Sequence, residues 1–120
     1  MKKNRLGHTD LHVTELCFGA LPFGPLQKNI PVEECTEILS EALRAGINFI
    51  DTAQMYQTYE PIRRAMKATG IRPIIATKST AASYEAMQKA VEEARTQLDV
   101  DTIDIFLVHA ARIDESVFTQ

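Results

Sequence analysis

The chain has 120 residues, 45% of them hydrophobic and 24% charged, with a formal net charge of −3, which suits one globular core and is too short for two comfortable domains. Its basic residues are scattered and form no large cluster, the small N-terminal group Lys2, Lys3 and Arg5 included, so it carries no electrostatic footprint for nucleic acid and no DNA or RNA partner is expected. No run approaches the ~18 apolar residues of a membrane span and no apolar signal region opens the chain, so a cytoplasmic protein without membrane contact is expected.

Residues 3–13 hold two short segments around Gly7-His8-Thr9-Asp10, a cluster of turn formers that predicts a small β-hairpin ahead of the main sheet. Leu16-Cys17-Phe18-Gly19 predicts the first buried strand, and the Pro22, Gly24 and Pro25 that follow predict a turn. The Gly19 to Gly24 segment is no phosphate loop, because no Lys-Ser/Thr follows it, and no G-x-G-x-x-G occurs in the chain.

Pro31 at a first helical position, with Glu33 and Glu34 behind it, predicts a helix whose apolar stripe is Val32, Cys35, Ile38, Leu39, Ala42 and Leu43. Gly46 stops it. The stretch Ala45 to Tyr56 then holds a short apolar run that ends on the carboxylate of Asp51, too short for a helix and too apolar for a loop. It predicts a buried strand that delivers Asp51 beyond the sheet, with Tyr56 on the loop after it. Pro61 opens a second helix that sets Ile62, Ala65, Met66 and Thr69 on one side and ends at Gly70.

Two further runs repeat the strand design. Pro73 to Lys78 and Ile103 to His109 are apolar stretches that each stop on a proton-active side chain. Between them Ser83 caps a third helix with the stripe Met87, Ala90, Val91, Ala94 and Leu98, while Glu92 and Glu93 read as part of its solvated face. Asp114 to Phe118 predicts the start of another helical turn.

The alternation of strands and helices implies a parallel sheet with right-handed crossovers. Asp51, Lys78 and His109 lie 27 and 31 residues apart, close to the roughly 31 residues per unit of a barrel in which about 250 residues make eight units. With no glycine fingerprint for an open dinucleotide-binding sheet, the pattern favours part of a (β/α)₈ TIM barrel, of which the chain covers about the first four βα units after the hairpin.

Lys78, on a central strand, needs a partner because an isolated interior ammonium is costly. Asp51, one strand away at the same level, is the natural one. A nearby ammonium stabilises a phenolate and makes Tyr56 a better proton donor, with His109 in reach of the same point. Each residue also has a plainer reading: Asp51 as a cap, Tyr56 and His109 as packing residues, Lys78 as a snorkelling chain. Taken together at one end of one sheet, they read as a catalytic site. His8 and His12 lie in the hairpin region and offer no metal-ligand spacing with His109. Cys17 and Cys35, on a predicted strand and helix, read as reduced core thiols.

Arg5 to Thr9, Phe18-Gly19-Ala20, Gly46 to Tyr56, Ile75 to Lys78 and Asp101 to His109 together resemble the aldo-keto reductase family. The resemblance implies NADPH- or NADH-dependent reduction of an aldehyde or ketone, with a small carbonyl compound as substrate. It implies a catalytic tetrad of Asp51, Tyr56, Lys78 and His109, in which Tyr56 protonates the carbonyl oxygen, Lys78 assists it, Asp51 holds Lys78 and His109 orients the carbonyl. It implies that Gly19, Ala20 and Asp51 belong to the cofactor site. Gln57-Thr58-Tyr59 follows Tyr56 where the family usually has Gly, which is similar to the branch whose longer members carry a C-terminal iron-sulfur segment; no cluster-type cysteines, and so no such cluster, are expected in residues 1–120.

Family members run to some 300 residues, so residues 1–120 read as the N-terminal half of one barrel domain, a truncated product or part of a longer chain. Two alternatives remain open: a non-catalytic half-barrel that associates with a partner chain, and an aldolase that uses Lys78 as a Schiff-base nucleophile. The half-barrel alone is expected to be inactive and to self-associate or require its missing half. Its sheet edges are open, and Ile50, Ile75 and Phe106, taken as inward-facing, are expected to lack cover; exposing ~400 Å² of apolar surface forfeits about 10 kcal/mol.

Overall fold

The computed structural model describes residues 1–111. The helical turn expected at Asp114 to Phe118 lies outside the described residues. The turn formers at Gly7 to Asp10 close the predicted hairpin between β1 (Lys3–Arg5) and β2 (His12–Thr14), which pair antiparallel. Asn48 ties it to the start of the main sheet: its side-chain oxygen accepts from the Thr14 N–H at 2.8 Å and its amide donates to the His12 carbonyl at 2.9 Å.

The main sheet is parallel, in the order β3 (Phe18–Gly19), β4 (Phe49–Asp51), β5 (Ile74–Ser79) and β6 (Ile105–Val108). Three helices connect these strands: α1 (Val32–Arg44), α2 (Tyr59–Thr69) and α3 (Tyr84–Leu98). Ser83 caps α3 as expected, its hydroxyl accepting from the Ala86 N–H at 3.1 Å. Gly70 ends α2 in the left-handed conformation at φ 68°, which a glycine adopts without steric cost. Pro31 is the N-cap of α1 rather than its first residue, and α2 begins at Tyr59, ahead of Pro61.

The core lies between the sheet and the helices. Ile50 and Ile75 are fully buried in one cluster with Leu39 and Leu43 of α1, Ile62 and Ala65 of α2, and Ala94 and Leu98 of α3, and Phe106 packs against it. This corrects the expectation that Ile50, Ile75 and Phe106 face inward and lack cover: they point at the helices. Strand side chains alternate between faces, so the opposite face carries Phe49, Asp51, Ile74, Ala76, Lys78, Ile105 and Leu107. The parity is set by Asp51, whose projection away from the helices forces Ile50 toward them.

Three other expectations need correction. Leu16 and Cys17 are exposed and precede β3, a strand of only two residues, so the first strand is neither as long nor as buried as its apolar run suggested. Ile38 is 40% exposed while Ser40 is buried, which narrows the apolar stripe of α1 to Cys35, Leu39 and Leu43. Glu93 is half-buried and accepts hydrogen bonds from Gln54 at 2.5 Å and Gln97 at 3.0 Å, so it does not belong to a solvated face. No helix among the described residues is long and apolar enough to cross a membrane.

Candidate functional site

Asp51 ends β4, and its Cα is in register with Gly19 of β3 and Ala76 of β5. Two residues beyond Ala76, Lys78 points to the same face, and its ammonium reaches back across the ladder to Asp51, at 3.1 Å from Oδ1 and 3.0 Å from Oδ2. A third donor direction goes to the Thr52 carbonyl at 2.8 Å. The Lys78 side chain is 14% exposed, whereas that of Asp51 is 42% exposed. All three ammonium directions are thereby used, and the buried cation has the partner that its position requires.

Tyr56 ends a 3₁₀ turn, Gln54–Tyr56, that follows β4. Lys78 Nζ lies 5.1 Å from the centroid of its ring, within cation–π range. His109, one residue past β6, meets the same ring edge-on with centroids 6.0 Å apart. Its N–H donates to the Ser79 carbonyl at 2.9 Å, which fixes the histidine beside the end of β5. His109 Nδ1 is buried and has no hydrogen-bond partner among the described residues. Asp51, Tyr56, Lys78 and His109, named from three separate apolar runs, thus converge at the C-terminal ends of adjacent parallel strands.

The turn that carries Tyr56 is held from several sides. The Thr52 and Thr58 hydroxyls, both buried, share a hydrogen bond of 2.7 Å across its base. Gln57 then takes the left-handed conformation at φ 56°, which lets the chain turn into α2. On the opposite side Gly24, in the loop after β3, presses so closely that a Cβ there would run into the Tyr56 carbonyl. Below the turn the phenol of Tyr59, at the start of α2, bonds the Thr77 hydroxyl at 2.7 Å; burial pushes this phenol's pKa up, Thr77 opposes the shift and Glu93 adds to it.

Gly19 and Ala20 sit beside this group in different ways. Gly19 is exposed, and a Cβ added to it would meet nothing within 4 Å, so there is open space next to the Asp51 carboxylate. Ala20 is fully buried and its N–H donates to the Asp51 carbonyl at 2.9 Å. Cys17 corrects the expectation of a core thiol. The residue is exposed, but its sulfur end is partly desolvated beside the site: burial pushes the thiol pKa up, Asp51 adds to the rise, and Lys78 and the Asp51 N–H offset part of it. Cys35 is buried as expected, and both thiols are free. No group of His, Cys, Asp and Glu side chains able to hold a metal ion occurs among the described residues.

The roles of Gln54, Glu93, Thr58 and Gly24 around the turn were not legible in advance. Their partners lie as many as 39 residues away in sequence. Only Gly24, a glycine in a loop, carried a local sign of close backbone approach.

Comparison with known proteins matches residues 15–118 to the aldo/keto reductase family model. The uncharacterized oxidoreductase YqkF of Bacillus subtilis is 29% identical over an alignment covering 98% of this chain and 42% of its own length. L-galactose dehydrogenase of Arabidopsis thaliana is 30% identical over 87% of this chain and 36% of its own. Among solved structures, the holo form of an aldo-keto reductase from Bacillus halodurans superposes with a TM-score of 0.81 at 30% identity, covering 96% of this chain and 42% of that one. The chain therefore spans less than half the length of these relatives, and its strands and helices correspond to about half of a (β/α)₈ barrel.

Proposed function

Because the chain belongs to the aldo/keto reductase family, we propose that it carries the proton-donating part of a site that reduces an aldehyde or ketone to an alcohol. The observation that carries this reading is the placement of the Lys78 ammonium between the Asp51 carboxylate and the Tyr56 ring, with His109 edge-on to that ring. In such a reduction the carbonyl carbon gains a hydride and the carbonyl oxygen gains a proton.

NADPH, or NADH, supplies the hydride when bound. Gly19, with open space beside its Cα, and Asp51, in register with it on the next strand, are the residues here that would hold its nicotinamide end, and the Ala20 N–H holds the Asp51 carbonyl behind them. The remaining work falls to the protein's own side chains. Tyr56 gives its phenolic proton to the carbonyl oxygen, and the ammonium of Lys78 favours the phenolate left behind. Asp51 keeps Lys78 in place, and His109 orients the carbonyl oxygen toward Tyr56. With both cysteines as free thiols, we place the activity in the cytoplasm.

The Schiff-base reading gains no support from the geometry, because the Lys78 nitrogen is engaged as a donor with the Asp51 carboxylate and the Thr52 carbonyl, whereas attack on a carbonyl needs a free lone pair on that nitrogen. Transfer of deuterium from C4-deuterated NADPH to a carbonyl carbon by a chain with a complete barrel, read by mass spectrometry of the alcohol, tests the proposal. Borohydride trapping of substrate on Lys78, without such transfer, would replace it with the aldolase.

A further inference from the structure

The turn that carries Tyr56 has no side chain of its own reaching into the helix layer except Gln54, and that residue makes a polarised bridge. Ser79 Oγ accepts from the Ala81 N–H at 3.1 Å, which leaves the hydroxyl proton free to be donated to Gln54 Oε1 at 2.6 Å. With its oxygen thus engaged, Gln54 turns its amide toward α3 and donates to Glu93 Oε2 at 2.5 Å, while Gln97 donates to the other Glu93 oxygen at 3.0 Å. Each of these donors meets an acceptor, and the bonds converge on the Glu93 carboxylate. Ser79 follows Lys78 directly, and its carbonyl accepts the His109 N–H at 2.9 Å. One bridge therefore joins the segments that carry Tyr56, Lys78 and His109.

We propose that Gln54, anchored by Ser79 and Glu93, is a positioning residue that sets the Tyr56 ring over Lys78 and against His109. Gln54 lies two residues before Tyr56 within the same 3₁₀ turn, so a shift of its side chain rotates the ring that follows. Gly24 stands as the backstop on the far side, where a Cβ would meet the Tyr56 carbonyl. The catalytic consequence of this placement rests on the function proposed above; the placement itself does not.

The test is a swap of the bridge's polarity. Gln54→Glu sets two carboxylates against each other. Adding Glu93→Gln restores a donor–acceptor pair in the reverse sense, because the new amide donates to the new carboxylate, which still accepts from Ser79. The first readout is the NMR shift of the Lys78 ε-methylene, which the ring current of Tyr56 displaces. The proposal expects this displacement to shrink in Gln54→Glu and to return in the double variant, with kcat for hydride transfer, read on the same variants in a chain with a complete barrel, falling about 10- to 100-fold and recovering in parallel. An unchanged resonance in Gln54→Glu, or a moved one that Glu93→Gln does not bring back, would overturn the bridge. Should Gln54→Glu not fold, Ser79→Ala removes one arm of the bridge alone and must move the resonance in the same direction by less, an unmoved one counting against the proposal. A resonance that moves and recovers while kcat stays constant would leave the bridge standing and sink the role of Tyr56 as proton donor.

Discussion

Lys78 binds Asp51 across the β4–β5 ladder with both carboxylate oxygens within 3.1 Å of one ammonium. The pair spans two apolar strands that are otherwise held together by backbone bonds and by the core beneath them. Lys78 is the more buried partner, so the pair matters more through what its loss would strand than through its own attraction. Lys78→Met removes the charge beside Tyr56, and it leaves the Thr52 carbonyl and Asp51 without their donor. In a chain with a complete barrel we expect carbonyl reduction to fall by several orders of magnitude, and we expect stability to drop by about 1–3 kcal/mol, read from the midpoint of urea unfolding. An active, equally stable variant would make Lys78 a packed strand-end residue.

Gly24→Ala tests the backing of the tyrosine turn. The backbone at Gly24 is extended at φ −91°, so alanine is not strained there; the main conflict is the new Cβ against the Tyr56 carbonyl, with a lesser one against the Thr58 methyl. The carbonyl belongs to a turn closed by the Thr52–Thr58 bond and cannot yield without moving the ring. The expected result, in a chain with a complete barrel, is a fall in kcat of about 10-fold or more; equal kcat in the variant would show that the turn accommodates the methyl without moving Tyr56.

Much of this arrangement was legible in the residues. Apolar runs that stop on Asp51, Lys78 and His109 mark strand ends because only the end of a buried strand tolerates such a group, and the glycines and Ser83 punctuate the helices. The facing of the strands was misjudged although the information was present: with Asp51 pointing away from the helices, alternation sends Ile50 toward them. Gln54 and Glu93 gave no signal, since their bond depends on a 3₁₀ turn and on the left-handed residue Gln57. Tyr59, ahead of the helix start read at Pro61, begins α2 and plugs the core with its hydroxyl on Thr77.

That buried phenol gives a dependence on alkaline pH. Burial raises the Tyr59 pKa in the folded state, against the pull of Thr77, so the folded chain holds this proton more tightly than the unfolded one. The associated stability is fully present below the unfolded value near ~10 and is lost as pH rises through the higher folded value. Tyr59→Phe should therefore be less stable at pH 8 by about 1–3 kcal/mol, because the buried Thr77 hydroxyl loses its partner. Between pH 10 and 11 its stability should fall less steeply, by up to ~1.4 kcal/mol per pH unit. Urea titrations at pH 8, 10 and 11 measure both, and parallel slopes would remove Tyr59 from the alkaline transition.

The two thiols should separate cleanly toward iodoacetamide. Cys17 is exposed and Cys35 buried, so only Cys17 should be alkylated in the native state. Burial and the nearby Asp51 carboxylate raise the Cys17 pKa, so the rate at pH 7 should lie below that of a free small thiol and climb with pH. Asp51→Asn should accelerate the reaction by removing the repelling charge. Mass spectrometry after digestion locates the label, and native-state alkylation of Cys35 first would contradict this placement of the thiols.

The most direct test of the whole account is single-turnover hydride transfer from NADPH to an aldehyde in Tyr56→Phe, carried in a chain with a complete barrel. Phenylalanine keeps the ring that faces Lys78 and His109 and removes only the proton donor. The expected rate is at least ~10²-fold lower, with unchanged NADPH affinity by fluorescence titration. Hydride transfer at the wild-type rate would take the proton-donor role away from Tyr56, and with it the reading of Asp51, Lys78 and His109 as its supporting cast.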